Sequence, residues 1–228
     1  MNRFLPRARA LGAAWLSLFA LAGIAHAEGD SPPPSPAERL LFMDPNLDGM
    51  KAPTTLHYQF VRTDTSPGGS FKDVVEVKFA QGKSVPCCTV SGTFLSGERA
   101  MRPPEVEDAR SNPVLMYYLE YEVRQLQRAT KGGQSHFRKQ IRMSLVDKAE
   151  VTPTRIEWGG REVDATTVQI SPFLDDPYRA RFEREARKVY TFVMSSAVPG
   201  GIYQIRTRLP DPAGGTAAVE EALTLQPR

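Results

Sequence analysis

The sequence predicts an α+β fold: a curved antiparallel sheet packed around one or two helices. Three observations point to it. Alternating strand segments come in pairs joined by tight turns, such as Ser66-Pro67-Gly68-Gly69 and Val198-Pro199-Gly200-Gly201, which is hairpin chemistry. Two helical segments follow one another between Asn112 and Lys148. Strands grouped apart from the helices make an antiparallel sheet with helices on one face.

The elements follow in order. Glu28 to Pro36 is a proline-rich lead without the apolar content of a folded segment. Ser35 is positioned to cap a short helix over Pro36–Met43, with proline at its first position. Leu56, Tyr58 and Phe60 alternate with His57, Gln59 and Val61, so Thr54–Thr63 reads as a strand. Asp73–Phe79 alternates again and closes the first hairpin, and Val85–Leu95 is a third strand. Asn112 is a cap and Pro113 a first helical residue, with Gly132-Gly133 ending the helix. Along it Leu115, Tyr118, Leu119, Glu122, Val123 and Leu126 fall on one face, with Glu122 the only polar interruption. The segment after the glycines reads as a second helix capped by Ser135, with Phe137, Ile141 and Leu145 recurring every fourth residue, and a strand stands as the alternative. Its other face is basic: Arg138, Lys139, Arg142 and Lys148. Thr152–Trp158 and Arg161–Ile170 form a hairpin across Gly159-Gly160. Asp176-Pro177 opens a short helix through Glu185. Val189–Met194 and Ile202–Leu209 form the last hairpin, and Glu220–Leu225 a final strand.

The first 27 residues read as an export signal. Arg3, Arg7 and Arg9 precede an apolar run from Leu11 to Ala25, and Ala25-His26-Ala27 offers a cleavage site after Ala27. The run is short for a bilayer span, and the residue directly after the site is Glu28, so no cysteine stands there for lipidation. The expected location is the periplasm. The organisation is a signal over residues 1–27, the lead over 28–36 and one domain over 37–228. Removing three arginines from 29 basic residues leaves 26 against 26 acidic. The mature chain is formally neutral, which gives no reason to expect a nucleic-acid or anionic-surface partner.

Chemistry-bearing residues are few. Cys87 and Cys88 are the only cysteines. Neighbours in a strand point to opposite faces, and three readings stand: buried small hydrophobes, a vicinal disulfide, or a disulfide to another chain. No Cys-x-x-Cys is present, and His57 and His136 lack ligand spacing, so neither a metal nor another cofactor is expected. There is no Gly-x-Ser-x-Gly turn and no glycine-rich phosphate loop. Asp175-Asp176, Glu183/Glu185 and Glu220-Glu221 read as solvated carboxylates. The chain is read as non-enzymatic. Met116, Tyr117, Tyr118 and Tyr121 give the main helix more apolar width than one buried stripe needs. Met116, Tyr117 and Tyr121 are therefore candidate lining for an apolar ligand cavity.

Lys188 to Leu209, KVYTFVMSSAVPGGIYQIRTRL, resembles the strand–turn–strand of secreted bacterial half-barrel proteins, and Asn112 to Leu145 is similar to segments of secreted proteobacterial proteins. Export signal, sheet and helices together resemble the LolA/LolB-like half-barrel class. That resemblance implies binding of acyl chains or lipidated partners in an apolar groove, without catalysis. The expected partner is a lipid or other hydrophobic small molecule. Two alternatives stand beside it: an envelope protein docking on Arg138, Lys139 and Arg142, and redox use of Cys87 and Cys88.

Overall fold

Eight antiparallel strands form one sheet in the order β3-β2-β1-β8-β7-β6-β5-β4, in a computed structural model that describes residues 33–82, 88–211 and 218–227. Pro34–Arg228 is one compact unit; the other, Met1–Pro33, lies outside the described residues except for Pro33. The expected signal, most of the lead and Cys87 are therefore outside them.

The first hairpin pairs β1 (Thr54–Asp64) with β2 (Phe71–Ala80). β3 (Thr89–Phe94) is shorter than the Val85–Leu95 reading, whose residues 85–87 lie outside the described residues. β4 (Glu150–Trp158) and β5 (Arg161–Ile170) make the second hairpin, and β6 (Val189–Met194) and β7 (Ile202–Leu209) the third. β8 (Val219–Leu225) inserts between β1 and β7, joining the two halves of the sheet. The sheet curves around the helices. Its inner face carries Tyr58 and Phe60, Val75 and Val77, Tyr190 and Phe192, and Leu223 and Leu225, all buried at alternate positions, as a one-sided sheet requires. A bulge between Val193 and Met194 restores that parity in β7, where Ile202 and Ile205 are three apart yet both buried. Edge strand β4 has no buried residue and carries Pro153, which discourages further strand pairing.

Three helices pack inside the curve. α1 (Pro36–Glu38) runs into a π-turn (Arg39–Met43). Ser35 Oγ accepts from Glu38 N while Glu38 Oε2 accepts from Ser35 N, a reciprocal cap. α2 (Val114–Thr130) buries the whole expected stripe, Glu122 included. Its entry is set by Asn112, whose Oδ1 accepts from Val114 N at 3.1 Å, with Pro113 as the flanking residue. It ends not on a glycine but on Lys131, in the left-handed region at φ 59°. α3 (Gln134–Asp147) buries Phe137, Ile141 and Leu145. The helix expected from Asp176-Pro177 is absent; two single 3₁₀ turns, Arg179–Arg181 and Glu185–Arg187, stand there instead. Asp176 ties the local backbone by accepting from Tyr178 N, a turn bond that competes with helix propagation.

The Val-Pro-Gly-Gly turn is fixed by contact as well as conformation. Gly200 has φ +74°, and a Cβ on it would lie 2.6 Å from Asn112 Nδ2. Asn112 Nδ2 donates to Gly200 O at 3.2 Å and to Tyr58 Oη at 2.8 Å. One buried amide thus links the α2 start, β1 and the last hairpin.

Candidate functional site: an apolar groove among three helices

Residues three and four apart on a helix share a face, and three helical stripes meet in one groove of about 390 Å³. The first stripe brings Glu38 and Phe42. α2 contributes Met116, Leu119, Glu120 and Val123, and α3 contributes Arg138, Ile141, Arg142 and Leu145. Leu119, Val123, Ile141 and Leu145 are buried and make the floor, while Phe42 and Met116 are 37% and 55% exposed. Large apolar side chains left in water beside a buried apolar floor mark an interaction site more often than scattered surface residues do. Charge is confined to the rim. Glu120 there accepts from Arg124 Nε at 3.1 Å and from Arg138 Nη2 at 2.9 Å.

The three candidate lining residues do not share one cavity. Met116 borders this groove and also a second cleft of about 560 Å³, which it shares with Tyr117 beside Pro103, Pro104 and Pro113. Tyr117 is buried, with its ring close against the Gly92 backbone. Tyr121 instead borders a third cleft, with Arg62 and Phe71. Much of the aromatic width of α2 fills the core: Tyr121 stands edge-on to Phe60 at 5.6 Å, and Tyr118 edge-on to Phe94 at 6.2 Å. Leu119 and Val123, two members of the α2 stripe, form groove floor. Phe42, Ile141 and Leu145 complete the groove from segments that sequence periodicity could mark only as amphipathic.

The basic face of α3 divides. Arg138 is held by Glu120 and Gln134, and Lys148 by Asp175 at 2.8 Å. Lys139 and Arg142 are exposed. His57 lies on the outer face, 3.7 Å from Glu76. His136 meets the buried Asp176 at 2.7 Å. Cys88 is fully buried and disulfide-bonded; Cys87, the only other cysteine in the chain, lies outside the described residues.

Beneath α2 lies a buried charged network that the sequence reading did not anticipate. Glu122, fully buried, accepts from Lys188 Nζ and from Tyr190 Oη, each at 3.1 Å. Glu221 accepts from Tyr121 Oη at 3.1 Å and from the Arg62 guanidinium. The remaining oxygens, Glu122 Oε1 and Glu221 Oε2, are buried without a hydrogen-bond partner among the described residues. Burial pushes the Glu122 carboxyl up to about 7; the nearby Lys188 opposes this and Glu221 adds to it. Burial acts the same way on Glu221, but the neighbouring Lys188, Glu122 and Arg62 outweigh it and hold that carboxyl below the usual range. Burial alone would lower the Lys188 ammonium, yet Glu122, Glu221 and Glu185 keep it above the usual lysine range. The reading of Glu220-Glu221 and Asp175-Asp176 as solvated pairs is corrected: Glu221 and Asp176 are buried. Strand parity carried the signal for Glu221, because it alternates inward with Val219, Leu223 and Leu225.

Among the described residues no helix is long and apolar enough to cross a membrane. No family model matches the chain, and no curated protein matches it. Among solved structures, the Mycobacterium tuberculosis lipoprotein LppX is similar at 9% identity, with 79% of this chain and 89% of that one covered at a TM-score of 0.32. LprF from Mycobacterium bovis is similar at 13% identity, with 85% and 93% covered at a TM-score of 0.26. Neither likeness, at such scores, bears on function.

Proposed function

We propose that this chain is a non-enzymatic periplasmic protein that binds a hydrophobic small molecule or lipid in the groove among α1, α2 and α3. The observation that supports it is the exposure of Phe42 and Met116 over a floor of Leu119, Val123, Ile141 and Leu145. Burying such a surface is favourable at about 25 cal/mol per Å², and charged residues stand only at its edge. The reading includes export, with residues 1–27 as a signal cleaved after Ala27 and 28–36 as a lead. Native mass spectrometry of the protein purified from the periplasm tests both parts. A mass beginning at Glu28 with a lipid adduct supports the reading. A bare mass, together with no uptake of a fluorescent alkyl probe, sinks the binding function.

A second reading rests on the exposed Lys139 and Arg142: docking of an acidic envelope protein on α3. Reversing both charges and finding co-purification with a partner unchanged removes it. Redox use of the cysteines has weaker support, because exchange needs an accessible sulfur and Cys88 is fully buried.

A further inference from the structure

We propose that the groove takes one alkyl chain of an anionic amphiphile and that Arg142 receives its carboxylate head. This rests on the groove being the binding site, and it names the chemistry of the occupant.

The size of the space argues for a single chain. About 390 Å³ lies near the lower end of small-ligand sites, which run from roughly 300 to 1,000 Å³. The α2 stripe from Met116 to Val123 extends about 10 Å at 1.5 Å per residue. An apolar wall of that length follows a straight chain.

The head is argued from the distribution of rim charge. Four charged side chains border the groove: Glu38, Glu120, Arg138 and Arg142. Glu120 is occupied twice, by Arg124 and Arg138. Glu38 is occupied by the Ser35 backbone in the α1 cap, at 3.0 Å. Arg142 is exposed and makes no hydrogen bond or ion pair with the described residues. It stands one turn from Arg138 on the same face and beside the buried Ile141 and Leu145. An arginine fork with no acceptor among the described residues, at the mouth of an apolar furrow, matches a carboxylate in two parallel hydrogen bonds. The cost of a free head in the furrow is avoided because Arg142 is at the water boundary, where the head stays solvated.

Calorimetric titration of the purified protein with four twelve-carbon probes below their micelle concentrations tests this: dodecanoate, 1-dodecanol, dodecylamine and N-dodecyl-N,N-dimethylglycine. The expected result is dodecanoate bound about fivefold more tightly than the alcohol, a surface ion pair's worth, with the amine weakest. Arg142→Gln, folded by circular dichroism, is expected to erase the acid's advantage, and Leu119→Asp to abolish uptake of every probe. Equal affinities in the wild type overturn the head assignment and leave the groove reading standing. Tightest binding of the zwitterion also overturns it, in favour of Glu38 acting with Arg142. No binding of any probe overturns both.

Discussion

Lys188, the residue just before β6, places its ammonium 3.1 Å from the carboxylate of Glu122 on α2, and both are buried. The pair anchors the central helix to the sheet through charge as well as packing. Removing one partner strands the other in a medium that cannot solvate it. Lys188→Met is expected to cost about 3–5 kcal/mol, and the double variant Lys188→Met/Glu122→Leu to recover much of that. Urea denaturation of the three proteins measures it; a loss equal in single and double variants contradicts the pairing.

The same network makes stability depend on pH in a definite direction. The Glu122 carboxyl titrates near 7 in the fold against an ordinary 4.5, so the folded state holds its proton more tightly than the unfolded chain. That contribution is complete below about 4.5 and is lost as pH rises through about 7. Glu122→Gln is expected to flatten the wild-type decline in unfolding free energy over this window. An unchanged slope removes Glu122 as its source.

At the last hairpin, Gly200→Ala forces a left-handed residue to carry a Cβ 2.6 Å from the Asn112 amide. Strain of this kind costs about 1–3 kcal/mol, and displacing Asn112 loses its bonds to Tyr58 and Gly200 as well. Thermal melting is expected to show Gly200→Ala less stable than wild type. Gly68→Ala, with the same sign of φ but open space around it, is expected to lose less.

Met116 is exposed on the groove margin, and replacing it by Gln changes no packed core. Stability is expected to move by less than about 0.5 kcal/mol while uptake of an alkyl probe falls several-fold. Unchanged uptake places the ligand elsewhere.

Cys88 is disulfide-bonded and the chain offers only Cys87 besides. Protein denatured without reductant and exposed to an alkylating reagent is expected to remain unmodified, with a monomer mass lower by two hydrogens. Two alkylated thiols rule out the vicinal bond, and a mass of two chains replaces it with an intermolecular one.

Much of this molecule was legible in its sequence. Leu56, Tyr58 and Phe60 state the inward parity of β1, and the stripe from Leu115 to Leu126 states the buried face of α2, because hydrophobic period follows backbone geometry. Turn residues placed the hairpins for equally local reasons. Groove and charged network belong to another category. Phe42, Met116 and Ile141 are far apart in the chain, and only the packing of three helices makes them neighbours. Arg62 and Glu221 stand at inward positions of their strands, a conflict with burial when each strand is read alone. It is resolved because β8 inserts beside β1 and sets the two directly opposite, and α2 lays Glu122 against Lys188 nearby. Local pattern determines which face a residue takes; whether a charge there is tolerated depends on which partner the tertiary structure brings to it, since burial penalises an ion by its surroundings and not by its place in the chain.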